Sequence, residues 1–292
     1  MAGGTIVNQE RGQPGVRACN VVWRVRVPIV DSHCHVSPVW YEPVESLLFQ
    51  MERNGVDHAI LIQMQNQFDN DYQYACIRRY PGRFAPVVVI DAAHPDAPQE
   101  LARQAALGAS GVRLQPTVRS TGEDPLLLWR MAARLGLAIS CIGTSALFAS
   151  DEFTALIAAL PELPIVIEHL GGSGADLDDE SRLLRERAFA LARFPNTYIK
   201  IPGLGEFVRR ALPVTQPFPF VPPVPDYLSQ AYRAFGARRM MWGSDYPPVA
   251  GREGYENALR LPQAEFAAMA GVSDEDREWI FGKTALSVFP VR

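Results

Sequence analysis

The stretch Ile29-Val30-Asp31-Ser32-His33-Cys34-His35 decides how this chain is read: an apolar run that ends in two histidines separated by one residue. In a strand, side chains alternate faces with a rise of ~3.3 Å, so the pattern predicts Asp31, His33 and His35 on one face, the imidazole roots about 6–7 Å apart. Two neutral imidazoles at that spacing can converge on one cation. A solvated strand face with two polar residues would look the same. What separates the two readings is the apolar character of the run before the histidines, and further potential ligands at the ends of later strands.

Outward from that strand, Val/Ile/Leu-rich runs alternate with helical segments: Pro28–His33, Asp57–Gln63, Ala85–Asp91, Gly111–Gln115, Leu137–Ile142, Pro164–His169, Thr197–Pro202 and Arg239–Asp245. Most are apolar throughout rather than alternating, which is the pattern of parallel strands covered on both faces. Helix ends are marked as well. Pro43–Asn54 stops at Gly55, Pro98–Leu107 at Gly108 and Pro125–Leu135 at Gly136; Ser150 precedes Asp151–Leu160, and Ser273-Asp274-Glu275-Asp276 opens a last helix expected to run to Gly282. Eight βα units predict an α/β chain folded as a single-domain (β/α)8 TIM barrel over residues 28–292. A doubly wound open sheet would need a glycine-rich loop after its first strand, where this chain has His-Cys-His. Residues 1–27 read as an N-terminal extension, and Val21–Val27 as a strand pair that could close the barrel's bottom. The proline-dense connection from Leu204 to Pro225 reads as a lid, as a contact in a homo-oligomer, or as a rigid surface loop.

Of the 292 residues 48% are apolar, and the net charge is −4. The 28 basic side chains are interspersed with 32 acidic ones, so no nucleic-acid partner is expected. No apolar stretch is long enough for a membrane span, and residues 1–26 show no secretory apolar region. Cys19, Cys34, Cys76 and Cys141 lack Cys-x-x-Cys spacing, which fits reduced thiols and a cytoplasmic location.

In a barrel of this kind the active site lies at the carboxyl ends of the strands. The first strand offers His33 and His35, the sixth His169 in Glu168-His169-Leu170-Gly171-Gly172, and the eighth Asp245 in Trp242-Gly243-Ser244-Asp245-Tyr246-Pro247. Three of the five histidines in the chain fall at these places. His94, after the third strand, could also face the rim, whereas His58 opens the second strand at the wrong end.

With Asp-x-His-x-His, Glu-His-Leu-Gly, Trp-Gly-Ser-Asp-Tyr-Pro and the closing Ile280-Phe281-Gly282-Lys283-Thr284-Ala285 in that order, the chain resembles the amidohydrolase superfamily, in its amidohydrolase-related (amidohydrolase 2) branch. Leu137–Gly143 lacks the fifth-strand histidine that many members use as a metal ligand. Together with Asn196-Thr197-Tyr198-Ile199-Lys200-Ile201-Pro202-Gly203-Leu204 and Gly111-Val112-Arg113-Leu114, which are similar to the seventh and fourth strands of the lactonase group, this points to that group, which includes 2-pyrone-4,6-dicarboxylate and sugar-acid lactonases.

The resemblance implies a hydrolase that opens a small carboxylated lactone. Asp245 would be general base, and His169 with His33 and His35 would polarise the carbonyl. They would do so directly, or through one divalent cation, zinc foremost, held by His33, His35 and Asp245; no metal at all is the other option. Arg113, Arg119 and Tyr246 are the expected substrate contacts, with a salt bridge inside the rim as the other reading of Arg113 and simple packing that of Tyr246. Lys200 is expected to be an interior lysine paired with Glu168 or Asp31. A metal-dependent decarboxylase or hydratase, and a barrel that binds without converting, are the competing functions.

Overall fold

The computed structural model describes residues 27–174, 178–213 and 220–292. Eight strands, β1 (Val30–Cys34), β2 (His58–Ile62), β3 (Phe84–Val88), β4 (Gly111–Leu114), β5 (Ala138–Cys141), β6 (Ile165–Ile167), β7 (Thr197–Ile201) and β8 (Met240–Trp242), pair in sequence order. Every pairing is parallel. With helices between consecutive strands this is the (β/α)8 barrel. The strands are one to four residues shorter than the apolar runs, because the runs continue into the loops at both rims.

Between β8 and β1 the seam is held by a few specific bonds. Asp245 N–H donates to the His33 carbonyl at 2.8 Å, and His35 N–H to the Tyr246 carbonyl at 2.7 Å. The two segments come so close that a Cβ on Gly243 would stand 2.5 Å from the Cβ of His33. Only glycine fits there.

One apolar layer packs the outer strand faces against the helices, with Leu47, Leu101, Trp129, Phe153 and Trp242 fully covered. A second fills the barrel itself: Val30, Ile60, Ile62, Val87, Ala138, Val166 and Met241 meet Ala285, Val288 and Phe289 from the C-terminal helix, so this helix plugs the bottom. Cys34, Cys76 and Cys141 are buried free thiols. No helix among the described residues is long and apolar enough to cross a membrane.

The helix boundaries show what the sequence signals meant. Gly55 ends the helix Val44–Asn54 in a left-handed conformation, Ser150 caps Asp151–Ala158 through Phe153 N–H, and Ser273 forms a capping box with Asp276. Gly282 is a correction. It does not stop the last helix but lies inside a continuous turn, Trp279–Lys283, leading into Thr284–Val288. A Cβ there would sit 2.0 Å from the Pro28 carbonyl oxygen, so this glycine serves close packing rather than termination.

The expected N-terminal extension lies outside the described residues apart from Val27, as do Cys19 and residues 214–219 of the proline-dense connection. The neck of that connection is pinned by an antiparallel bridge between Arg210 and Phe220 and by Val221 N–H donating to the Arg209 carbonyl at 2.8 Å.

Candidate active site

The first strand delivers its histidines by a route that the alternation rule misses. Its register shifts between Asp31 and Cys34, which breaks the simple in-and-out pattern. His33 and His35 both face the barrel mouth, their rings 4.9 Å apart and edge-to-face. Asp31 does not share their face. Its carboxylate accepts from Ser244 N–H at 2.8 Å, Ser244 Oγ at 2.6 Å, the Tyr255 hydroxyl at 2.9 Å and His33 N–H at 3.1 Å. Burial raises its pKa to about 6 despite those donors. Asp31 therefore ties β1 to β8 and holds the histidine-bearing segment in place.

His169 and Asp245 follow β6 and β8 in left-handed backbone conformations, with φ of 51° and 56°. Such a φ costs a non-glycine residue about 1–3 kcal/mol and is retained where the surroundings impose it, often at functional sites. At β6 the turn continues through Leu170, Gly171 and Gly172, all left-handed. It swings His169 toward His33, with ring centroids 4.6 Å apart.

Asp245 presents its two oxygens to different partners. Oδ1 lies 3.4 Å from His35 Nε2 and 3.8 Å from His33 Nε2, and Oδ2 accepts from Arg252 at 2.9 Å. Burial pushes its pKa up, but His35, His169 and Arg252 outweigh that and leave it lowered, so the carboxylate is ionised at neutral pH. Nδ1 of His169 bonds to Glu206 at 2.8 Å. Burial disfavours its charged form, but Glu206 overcomes this and, with Asp245 and Glu168, raises His169 to about 8.

Beneath them Glu168 forms a buried hub. Arg113 grips it through Nε at 3.2 Å and a terminal nitrogen at 2.7 Å; Ser140 Oγ donates at 2.6 Å, and Lys200 Nζ stands 3.9 Å away. Burial pushes Glu168 up, yet Arg113, Lys200 and His169 more than reverse this and hold it well below the usual range. Lys200 itself is lowered to about 8, chiefly by burial. Its Nζ donates to Ser140 at 2.8 Å and lies 3.0 Å from His33 Nδ1. Of its two expected partners Lys200 is thus placed beside Glu168.

The expected substrate contacts are not presented as unpaired polar groups. Arg113 is 4% exposed at its side chain and pairs with Glu168, its remaining bond going to the Gln63 carbonyl at 3.1 Å, so the salt bridge inside the rim is formed. The exposed Arg119 folds back onto the Pro116 and Val118 carbonyls of its own loop, both at 2.8 Å. Tyr246 is buried with its ring packed edge-to-face on Tyr255. Exposed His94 accepts from Asp96 N–H in its own turn, and His58 bonds the Gly82 carbonyl away from the mouth.

Glu206 and Arg252 complete the mouth and were not singled out from the sequence. Arg252 lies between Asp245 and Glu206, 3.3 Å from the latter, and its Nε is 3.6 Å from Glu253. Glu253 is itself buried where the turn after β7 closes on it, accepting from Gly205 N–H at 3.1 Å; a Cβ at Gly203 or Gly205 would collide with its carboxylate. The signal available was that pair of glycines, Pro202-Gly203-Leu204-Gly205-Glu206, following a strand end.

A divalent cation fits this donor set. His35 Nδ1 hydrogen-bonds to the Ile62 carbonyl at 2.7 Å, so a proton sits there and Nε2, facing Asp245, is the nitrogen that a cation would take in place of a proton. His33 Nε2 is buried without a hydrogen-bond partner, and one donor atom each from His33, His35 and Asp245 lies within 4.8 Å of the others. The 3.4 Å His35–Asp245 separation matches the edge of a tetrahedron with bonds of about 2.1 Å. Two neighbouring groups, His33–Glu168–His169 and His169–Glu206–Asp245, are similarly close. Arg113 and Lys200 already balance Glu168, and Arg252 bridges Glu206 and Oδ2 of Asp245, leaving Oδ1 toward the histidines.

A family model described as Amidohydrolase matches residues 30–291. No curated protein matches the chain in sequence. Among solved structures, one provisionally assigned as a 2-pyrone-4,6-dicarboxylic acid hydrolase, from Pseudomonas putida, is 23% identical, with a TM-score of 0.70 over 92% of this chain and 99% of that one. An amidohydrolase from Burkholderia multivorans, solved with bound zinc, is 20% identical, with a TM-score of 0.69 over 91% of this chain and 100% of that one. A 5-carboxyvanillate decarboxylase from Sphingomonas paucimobilis is 15% identical, with a TM-score of 0.59 over 91% and 100%. At these identities the likeness establishes the shared barrel. With the family model spanning nearly all of the chain from β1 onward, and its strand-end histidines and aspartate gathered at one mouth, this protein belongs to the amidohydrolase family.

Proposed function

We propose that the protein is a hydrolase that opens a lactone ring with water, Asp245 acting as general base. The observation that carries this reading is the convergence of an ionised carboxylate, held by Arg252 on one oxygen, with three imidazoles on the other side. Asp245 Oδ1 would take a proton from the attacking water and return it to the ring oxygen as the carbon–oxygen bond breaks, giving a hydroxy acid. His169, charged and oriented by Glu206 at Nδ1, points Nε2–H to where negative charge develops on the carbonyl oxygen. His33 adds a second donor when Lys200 hydrogen-bonds to its Nδ1 and the proton rests on Nε2. In the other arrangement a divalent cation held by His33, His35 and Asp245 would take the place of that Nε2 proton and supply Lewis acidity and a more acidic water.

The expectation of a carboxylated substrate leaned on Arg113 and Arg119, whose guanidinium groups are taken up by Glu168 and by loop carbonyls. The proposal therefore keeps the lactone and not the carboxylate. The decarboxylase alternative draws on family members that use a fifth-strand histidine. Here β5 ends in Ser140 and Cys141, and Ser140 is engaged by Glu168 and Lys200.

The test is turnover of a lactone panel by purified protein and by Asp245→Asn, with elemental analysis and a chelator arm. Hydrolysis by the wild type, lost in Asp245→Asn with fold and ligand binding intact, is the expected result. Near wild-type turnover in the variant, or release of carbon dioxide from aromatic carboxylates in place of lactone opening, would overturn it.

A further inference from the structure

A cavity of about 230 Å³ opens at the ends of β2, β3, β4 and β5, on the same rim as the catalytic cluster but beyond Arg113. Its apolar wall consists of Phe68, Val89, Ile90, Leu114, Val118 and Ile142. Arg113 belongs both to this cavity and to the Glu168 pair, and Glu168 lies 3.8 Å from His33 Nδ1. The buried Arg113–Glu168 pair is thus the partition between this cavity and His33. Across the mouth a polar cavity of about 390 Å³ is lined by His169, Ser173, Glu206, Asp245 and Arg252. The scissile ring belongs there, beside the base.

From this arrangement we propose that the β2–β5 cavity is a subsite for an uncharged aromatic or alkyl substituent, so that the preferred substrate is a neutral lactone bearing such a group. This deepens the lactone-opening reading and rests on it.

Size and charge both support the assignment. A phenyl ring or a short alkyl chain fits the volume and would leave water for an apolar wall. The charged residues lining the cavity are Asp91 and Arg113. Arg113 is neutralised by Glu168, while Asp91, whose carboxylate accepts from Ala93 N–H at 3.1 Å, would repel an anion. An anionic substituent would be desolvated there without an uncompensated cation to receive it. The amides of Gln65, Asn66 and Gln115 can instead meet a neutral hydroxyl or carbonyl on the substituent.

Non-hydrolysable lactams separate this proposal from the reaction itself. Three six-membered lactams, one carrying a phenyl group, one a carboxylate and one unsubstituted, are titrated calorimetrically into the full chain and into Ala92→Phe and Phe68→Ala. Ala92 is half-buried at the cavity and Phe68 is 47% exposed at its edge. The phenyl lactam is expected to bind at least about tenfold more tightly than the other two. Ala92→Phe, which fills the cavity, is expected to erase the preference, and Phe68→Ala to reduce it several-fold. If Ala92→Phe does not fold, Phe68→Ala carries the test alone. No phenyl preference in the wild type, tighter binding of the carboxylated lactam, or a preference untouched by the variants overturns the subsite. A phenyl preference with no turnover of the matching lactone would instead overturn the reaction.

Discussion

Around one rim, the ends of β6, β7, β8 and β1 and the turns after them carry His169, Glu206, Asp245, His33 and His35, whereas those of β2 to β5 carry Phe68, Val89, Ile90, Leu114 and Ile142. The backbone divides along the same line. His169, Leu170 and Asp245 carry positive φ on the charged side; on the apolar side only Asn66 does among described non-glycine residues, and asparagine tolerates that conformation better than most. Strain is thus concentrated where charges must be aimed, and the side that would recognise a substituent is built from relaxed strand ends. Arg113 stands at the border, one face on the apolar cavity and its guanidinium on the Glu168 hub.

That border gives the largest expected effect. Arg113→Ala would leave Glu168 buried without its main partner, a loss of about 3–5 kcal/mol that a thermal or denaturant melt would read. A change within 1 kcal/mol would mean that Ser140 and Lys200 suffice, and that the two sides are less interdependent than the contacts imply. Gly243→Ala should injure the charged side alone. The added methyl group would push on His33, costing about 1–3 kcal/mol of stability, and a shift of about 1 Å there would lower kcat roughly 100-fold. Binding of a phenyl lactam on the opposite side should survive, and its loss would join the two regions into one unit.

A subtler change tunes the charged side. His169 has its folded pKa raised to about 8 from 6.5, so its ionised form stabilises the fold fully below pH 6.5, and that contribution is lost as pH rises through about 8. Glu206→Gln removes the chief raising influence, so the alkaline limb of the kcat profile should move to lower pH with a fall of about tenfold in the maximum. An unmoved limb would show that another group sets it. The smallest effect is expected at Arg119, bonded only to carbonyls of its own loop: Arg119→Ala should stay within about 0.5 kcal/mol and leave KM unchanged. A rise in KM of tenfold or more would restore it as a substrate contact.

The barrel was legible because parallel strands covered on both faces must be apolar throughout, and their ends are where polar residues first reappear. His33, His35, His169 and Asp245 stand out for that reason. Asp31 misled because one irregularity in β1 inverts the alternation, which depends on the backbone and leaves no mark in the residue types. Glu206 and Arg252 come from turns, where neither periodicity nor strand position points to a direction. For Arg113 the position was readable and the salt-bridge partner, Glu168, 55 residues later, was not. Phe289 beneath Lys200, 5.6 Å from its ammonium group, shows the same limit: contacts between remote segments decide what a charge can do.

The seam between the first and last strands has a consequence for how the protein comes into being. Its working parts are joined where the two ends of the barrel sequence meet, by Asp245 on His33 and Ser244 on Asp31. Because synthesis proceeds from the amino end, the histidines emerge first and wait for the aspartate, some two hundred residues later in the chain. A growing chain can therefore form most of its strands before the cluster exists, and on the proposed roles competence would arrive only with closure of the ring.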